Sequence, residues 1–492
     1  MRLNHVFLAF CAGLLAVLGF APYSIFPLPI LSLMLLFILW HRAENARDAA
    51  KLGFVFGFGL FGAGIGWIYV ALHDYGDMHF LLALLATALF ATVLTLFPML
   101  AGYLQAKLRA PVWVRMTLVM PAIWVLMEWL RGLTLTGFPW LTLGYSQVSG
   151  SPLAGYAPLT GVYGVSLTVA ASAGLCALLW RAHRSRQAKI ALAMLIMLWV
   201  AGGALRAVKW TRPEGEPLKV SLIQGNVSQD MKFRDEAMAD TFKKYGRLVL
   251  QSNARLIVLP ETAFPILRSE IPESYAATLR DHMRQNNGDI LIGAFEQEHD
   301  AYYNSVFSLG TAQSQSYRKD HLVPFGEFIP VRSMFGWFIN DVLDIPMGDL
   351  TSGGKSQAPL EVVGQKVAMN ICYEDVFGEE IIRALPGATL LVNVSNDAWY
   401  GNSNAAIQHN QIAQMRALET GRMMLRATNT GVTSVIGADG RIRQMLPQHE
   451  EGVLTAMVQG YAGSTPYVRW GNALVLALLA LMLAAAWRWR SR

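Results

Sequence analysis

Stretches of roughly 20 predominantly apolar residues, the length that carries a helix across the hydrocarbon core of a bilayer, recur through the first 210 positions of this chain and return once near its end. Such blocks cannot all be buried in one water-soluble core, so the pattern demands lipid as solvent for part of the molecule. Candidate spans lie near 5–21, 27–41, 53–72, 79–104, 112–131, 158–181, 189–208 and 470–487, about eight in all. Pro22, Pro27 and Pro29 interrupt the first two and blur their ends. Composition agrees: 53% of the 492 residues are hydrophobic and 15% charged, against about 25% charged in an ordinary soluble domain.

The net charge of +6 is compatible with nucleic acid or anionic lipid as a partner, but the placement of the charge decides for lipid. Lys and Arg near span ends stay on the cytoplasmic side of a membrane. Arg42, Arg47 and Lys51 follow the second span; Lys107, Arg109 and Arg115 the fourth; Arg181, Arg184, Arg186 and Lys189 the sixth; Arg488, Arg490 and Arg492 the last. The loop from His73 to His79 has no Lys or Arg, and the long loop after the fifth span begins with Arg131 alone. Both termini are therefore expected in the cytoplasm, and residues 210–468 outside it. Arg206, Lys209 and Arg212 oppose this orientation and are outvoted. The apolar run Val6–Phe20 reads as a retained anchor, because no small-residue cleavage site follows it.

At Pro213-Glu214-Gly215-Glu216 the character changes to that of a soluble α/β domain. Strands are expected at Val220–Gln224, Leu256–Leu259, Ile290–Phe295, Asn304–Leu309, Val367–Cys372 and Thr389–Val394. A final hairpin, Thr433–Ile436 and Ile442–Leu446, turns at Ala438-Asp439-Gly440. Helices are expected at Glu236–Ser252, Ala276–Gln285 and from Asn404 to about Ala427. The basic stretch Arg416–Arg426 reads as a solvated helix face, with lipid headgroups as the alternative contact. The expected divisions are a membrane domain over 1–210, a catalytic domain over 211–468, and a final span with a basic tail over 469–492.

Three cysteines exclude a disulfide framework. Cys11 and Cys176 lie in apolar runs and read as packing residues, whereas Cys372 ends a strand in the polar region. Two other strand ends carry reactive side chains: Glu261 within Val258-Leu259-Pro260-Glu261-Thr262, and Lys319 within Tyr317-Arg318-Lys319-Asp320-His321. Each alone has an ordinary reading: a turn-capping carboxylate, a solvated lysine, an inert buried thiol. His321 and His409 have no partner at metal-ligand spacing, so neither a metal nor a cofactor is expected. No glycine-rich phosphate loop occurs.

The three side chains in this order resemble the Glu-Lys-Cys triad of the nitrilase, or carbon-nitrogen hydrolase, superfamily, and Lys319-Asp320-His321-Leu322-Val323-Pro324-Phe325-Gly326-Glu327 matches its lysine segment closely. Joined to the membrane spans, the whole chain resembles one branch, the apolipoprotein N-acyltransferases. Supporting stretches are Leu135-Thr136-Gly137-Phe138-Pro139-Trp140, Gly144-Tyr145-Ser146-Gln147, Gln224-Gly225-Asn226, Tyr303-Asn304-Ser305, Asn393-Val394-Ser395-Asn396-Asp397-Ala398-Trp399 and Arg416-Ala417-Leu418-Glu419. Phe233 stands where the family is expected to carry tryptophan.

The resemblance implies a polytopic α-helical membrane domain with an α-β-β-α sandwich. It implies acyl transfer from a membrane phospholipid, phosphatidylethanolamine above all, through a Cys372 thioester to the amine of a diacylated apolipoprotein; no nucleic acid takes part. Glu261 is then the general base, its apolar neighbours Phe264 and Pro265 favouring proton uptake. Lys319 and the backbone N–H after Cys372 would stabilise the oxyanion, with Glu327, Tyr373 and Glu374 in support. Trp140, Trp337 and Trp399 are candidates for sheltering the acyl chain, with ordinary packing as the alternative. Lys319→Ala is expected to lose activity with little loss of folded protein. Two rivals stay open: a membrane-tethered amidase using water as acceptor, and a transporter with a soluble appendage. Glu128 and Arg131, the notable charges of the fifth span, read as an interfacial pair.

Overall fold

A computed structural model describes residues 3–182, 185–228, 235–328 and 350–489. Trp337 and Phe233 fall outside these residues. The chain forms two compact units. One comprises the chain up to Tyr69, His79–Lys209 and the chain from Thr465 onward; the other comprises Val70–Met78 and Trp210–Ser464.

The first unit is helical. Among the described residues, four helices are long and apolar enough to cross a bilayer: Phe80–Lys107, Val112–Arg131, Pro152–Arg181 and Arg186–Arg206. The continuous span expected at 53–72 is instead a pair, Ala46–Gly64 and Trp67–His73, bent by 55°. Leu3–Val17, Leu28–Arg42 and Ala473–Arg488 are apolar but shorter. A 15-residue helix is about 22 Å long, less than the roughly 30 Å of bilayer hydrocarbon. Helices of this unit approach closely through small residues. A side chain on Gly13 would stand 2.1 Å from the carbonyl oxygen of Phe56, and one on Gly59 would stand 2.5 Å from that of Phe10.

Glu128 and Arg131 are buried within the helical unit. Leu143 N donates to Glu128 Oε1 at 3.0 Å. Arg131 donates to the carbonyls of Phe138 and Trp140 and, at 3.3 Å, to Thr142 Oγ1. Both charges hold the loop that follows their helix, which gives them a structural task within the unit.

The second unit contains two six-stranded sheets. The first is built from β1 (Thr211–Gln224), β2 (Leu256–Val258), β3 (Asp289–Glu298), β4 (Ala301–Gly310) and β5 (Ser316–Arg318), with β12 (Gly452–Gly463) outside β1. The second runs β11-β10-β9-β8-β7-β6, from β6 (Leu360–Val362), β7 (Gln365–Ile371), β8 (Leu390–Ser395), β9 (Met424–Thr428), β10 (Ser434–Ile436) and β11 (Ile442–Met445). In each sheet three central strands are parallel, β1-β2-β3 and β7-β8-β9. Their near-continuous apolar runs follow from burial on both faces. Ile223, Ile257 and Ile290 pack under the helices Asp235–Leu250 and Glu273–Gln285 with Leu248, Leu279 and Met283. Phe264 stacks on Phe242 in the same core, with ring centres 4.6 Å apart.

Two expectations fail here. The helix begun near Asn404 spans Ala405–Thr420 and does not continue to 427: Gly421, at φ 64°, turns the chain out of it. Arg416, Arg422 and Arg426 are no more than 1% exposed, so the basic stretch is no solvated face. Arg426 lies in β9, and Arg422 donates to the carbonyls of Ala388 and Gly463. Internal partners make these cations look superficial only when the sequence is read locally.

Candidate active site

Parallel strands deliver side chains at their carboxyl ends, where α/β sheets gather their sites. Glu261 follows β2, Cys372 follows β7 and the Asn396-Asp397 turn follows β8, while Lys319 follows the antiparallel edge strand β5. β7 stops at Ile371 rather than at Cys372, which opens a short 3₁₀ turn, Cys372–Val376, with φ 53°. A non-glycine residue in this left-handed region is sparsely populated and is tolerated where surroundings over-determine it. Here Glu374 does so, its Oε2 accepting from Ile371 N at 2.6 Å.

Lys319 is 1% exposed, which rejects the solvated-lysine reading. Its Nζ stands 3.5 Å from Glu261 Oε1 and 2.9 Å from Glu327 Oε1. Burial works against its charge, but the Glu327 and Glu261 carboxylates outweigh burial and hold its pKa well above the ordinary lysine value. Lys319 is thus a fixed cation and unsuited to be a base. Asn304 Nδ2 donates to both carboxylates, at 2.8 Å to Glu261 and 3.1 Å to Glu327. Glu327 Oε2 accepts from Val323 N at 2.8 Å, so this carboxylate anchors the lysine and its loop together.

Glu261 Oε2 accepts from Asn396 N at 2.8 Å. The hydrogen-bond partners of this carboxylate are polar, whereas Phe264, expected to desolvate it, belongs to the core under the helices. Cys372 is buried, and burial pushes its thiol well up; Glu261 adds to that rise, while Lys319 opposes it. The Glu261 carboxylate and the Lys319 ammonium are assembled beside this thiol.

Glu374 joins the Cys372 turn to the lysine loop. Its Oε1 accepts from Asp320 N at 2.7 Å and His321 N at 3.1 Å, and Tyr317 OH donates to it at 3.1 Å. Burial, then the Glu374 carboxylate, holds the Tyr317 hydroxyl well above its usual pKa, so it remains a donor. Burial raises the pKa of Glu374 to about 7 against 4.5, and its N–H donors and Lys319 do not cancel the rise. The native state therefore keeps a proton that the unfolded chain releases between about pH 4.5 and 7. Stability from this group is full below that window and falls by roughly 3 kcal/mol as pH rises through it. In thermal melts against pH, the difference between wild type and Glu374→Gln should change across this window; a constant difference would contradict the assignment.

Tyr373 is buried, with its ring edge-on to Phe377 at 5.3 Å and near His321 at 6.0 Å. Trp399 is 42% exposed on the turn after β8. Trp140 belongs to the helical unit, buried against Trp67 with ring centres 5.2 Å apart. The structure thus brings Glu261, Lys319, Glu327, Tyr373 and Glu374 around the Cys372 turn, and leaves Trp140 in the other unit. It adds Asn304, Asn393, Ser395 and Asn396, quoted in the sequence only as parts of matching stretches. Polar residues at alternate positions of an apolar strand end were their signal.

Residues 219–467 match the model of the carbon-nitrogen hydrolases, and residues 12–175 match that of the apolipoprotein N-acyltransferase N-terminal domain. A protein from Nitrosomonas europaea named apolipoprotein N-acyltransferase is 51% identical, over 97% of this chain and 96% of its own. The chain belongs to the apolipoprotein N-acyltransferase family. Relatives of the same name from Methylococcus capsulatus and Ralstonia nicotianae are 43% and 45% identical, over 100% and 99% of this chain and 97% and 93% of theirs. A carbon-nitrogen hydrolase fold accounts for the two sheets, and the family is one of enzymes.

Proposed function

We propose that this enzyme moves an acyl chain from a membrane phospholipid, phosphatidylethanolamine in particular, to the N-terminal amine of a diacylglyceryl-cysteine in apolipoproteins. The supporting observation is the buried cation Lys319 held between Glu261 and Glu327 beside a buried thiol. Glu261 takes the Cys372 proton as the sulfur attacks the ester carbonyl. Lys319 Nζ and the N–H of Tyr373 stabilise the tetrahedral oxyanion, a contribution of about 10²–10³-fold per donor. Collapse leaves a thioester on Cys372, and the departing alcohol of the lysophospholipid takes the proton back from Glu261. The acceptor amine then attacks the thioester, gives its proton to Glu261, and the thiolate leaves and is reprotonated.

This reading places the enzyme in the inner membrane with about eight helices inserted, the bent pair counting as one. Residues 211–468 lie on the periplasmic side, and both termini are cytoplasmic, from the Lys and Arg distribution. Trp140, Trp337 and Trp399 are proposed as aromatic contacts for acyl chains. A hydrolase would use the same triad, but the match of residues 12–175 to the apolipoprotein N-acyltransferase N-terminal domain favours the amine as acceptor.

The choice of acceptor is tested by giving purified enzyme phosphatidylethanolamine and a diacylated lipopeptide. Mass spectrometry should find the acyl chain on the lipopeptide amine, in excess over free fatty acid. Free fatty acid alone would show that water is the acceptor.

A further inference from the structure

Three polar side chains stand in one row across the second sheet. In its parallel ladders Asn370 of β7 pairs with Asn393 of β8, and Asn393 with Arg426 of β9. Registered neighbours project on the same face of a sheet. All three are buried, in strands otherwise built largely of apolar residues. A guanidinium and two amides are costly to bury, and apolar residues of similar volume are often as stable in such places. The row is kept for what it holds.

It holds the carbonyl of Cys372. Asn393 Nδ2 donates to Asn370 Oδ1 at 2.6 Å and to the Cys372 carbonyl oxygen at 3.1 Å, so both amide hydrogens are used. Its Oδ1 accepts from Arg426 Nη1 at 2.5 Å. The amide can face only one way: turned over, it would set its oxygen against two acceptors and its hydrogens against a guanidinium that has only donors. Arg426 is fixed in turn. Its Nη1 also donates to Asp375 Oδ2 and its Nη2 to Asp397 Oδ2, both at 3.1 Å. His409 closes the cluster, with Nε2 2.8 Å from Asp375 Oδ1 and Nδ1 3.2 Å from Asp397 Oδ1. Asp375 belongs to the turn Cys372–Val376, so Arg426 grips that turn twice, through Asp375 directly and through Asn393 at the Cys372 carbonyl.

A peptide unit is planar, and in the trans form its C=O and N–H point in opposite directions. The unit joining Cys372 to Tyr373 is trans. Cys372 is at φ 53°, a sparsely populated region for a residue with a side chain, so the surroundings must impose the orientation. Holding the Cys372 oxygen against Asn393 therefore sends the Tyr373 N–H the opposite way. We propose that Asn393, locked by Arg426, is a positioning residue for acyl transfer: it sets the plane of the Cys372–Tyr373 peptide and with it the aim of the Tyr373 N–H at the oxyanion. Asn393 touches neither lipid nor amine, and it gains or loses no proton. An oxyanion donor is effective because it is aimed before the charge forms; a peptide free to rotate would lose part of that stabilisation in turning. Both half-reactions pass through a tetrahedral oxyanion, so both depend on Asn393.

This inference rests on the Cys372 thioester of the proposed function, and the experiment separates the two. Full-length protein in mixed micelles of phosphatidylethanolamine is followed by intact mass for wild type, Asn393→Leu and Asn393→Asp. Leucine matches asparagine in shape without any hydrogen bond; aspartate keeps a partner for Arg426 but has no hydrogen for the Cys372 carbonyl. In both variants acyl-enzyme formation at saturating lipid should slow by about 10–100-fold, short of the roughly 10²–10³-fold that follows loss of a whole donor. The half-saturating lipid concentration should not change. Transfer from the preformed acyl-enzyme to a diacylated lipopeptide should slow by a similar factor. Alkylation of Cys372 by iodoacetamide should keep the wild-type rate, because displacement of iodide needs the thiolate and forms no oxyanion. A role confined to packing would slow alkylation and acylation together, or neither. Wild-type acylation in a folded variant overturns the proposal, and so does a parallel loss of alkylation. If neither variant folds, Asn393 belongs to the fold and the proposal falls as well. A wild type without any acyl adduct overturns the Cys372 reading first.

Discussion

Cys372→Ala is expected to fold, to carry no acyl group after exposure to phospholipid, and to transfer acyl chains about 10⁴-fold or more slowly than wild type. Removal of a nucleophile is not made good by the rest of a site, because the remaining groups act on a bond that no longer forms. Fold should survive for a physical reason. The turn Cys372–Val376 is held by groups other than the thiol: Glu374 on Ile371 N, Asn393 on the Cys372 carbonyl, and the Asp375 pairs with Arg426 and His409. The check is a melting curve beside a transfer assay. Measurable acylation of another residue at the wild-type rate would show that the thiol is dispensable.

Lys319→Met should lose both activity and stability, and here the structure changes what the sequence alone suggests. Read as a strand-end lysine, residue 319 promised a variant with little loss of folded protein. Its ammonium is instead 1% exposed and stands against two carboxylates, at 3.5 and 2.9 Å. Methionine fills the space but leaves Glu261 and Glu327 facing each other without a cation. Breaking a buried pair from one side costs about 3–5 kcal/mol, visible as a lowered melting temperature. The proposed oxyanion donor is lost as well, about 10²–10³-fold in rate. Acyl-enzyme formation should therefore fall even at temperatures where the variant is fully folded. A folded variant with wild-type turnover would remove Lys319 from the chemistry.

The contrast shows what could be read without coordinates. Strand ends at Val258 and Ile371 lie close to where apolar periodicity places them, because burial on both faces of the central parallel strands imposes a continuous apolar run. Glu261 and Cys372 were legible as reactive side chains at the ends of those runs, and Lys319 by its place in the segment Lys319–Glu327. Partners joined across long sequence separations were not. Nothing local tells that Arg426 serves Asp375 and Asp397, or that Asn304 bridges Glu261 and Glu327, because each is decided by sheet order. Arg416–Arg426 misled for the same cause: basic residues look solvated until their internal acceptors are seen. The edge strands β5, β6 and β12 were also missed. The first half of β1, Thr211–Pro217, is largely exposed and rich in Pro, Gly and Glu, yet pairs with β12 through a shift in register between Glu214 and Leu218. Pairing of backbone, rather than side-chain pattern, makes it a strand.

In the helical unit, composition identified the apolar segments, but a window of hydropathy cannot see the 55° bend between Gly64 and Trp67. Nor can it show that Arg131 holds the loop after its helix by that loop's carbonyls.

The most direct measurement is the intact mass of the wild-type enzyme after incubation with phosphatidylethanolamine and no acceptor. A thioester on Cys372 predicts a mass increase of one acyl group, released by hydroxylamine, located on the peptide that contains Cys372, and absent from Cys372→Ala. A protein that stays at its unmodified mass while still acylating a lipopeptide when one is added would contradict the covalent route through Cys372.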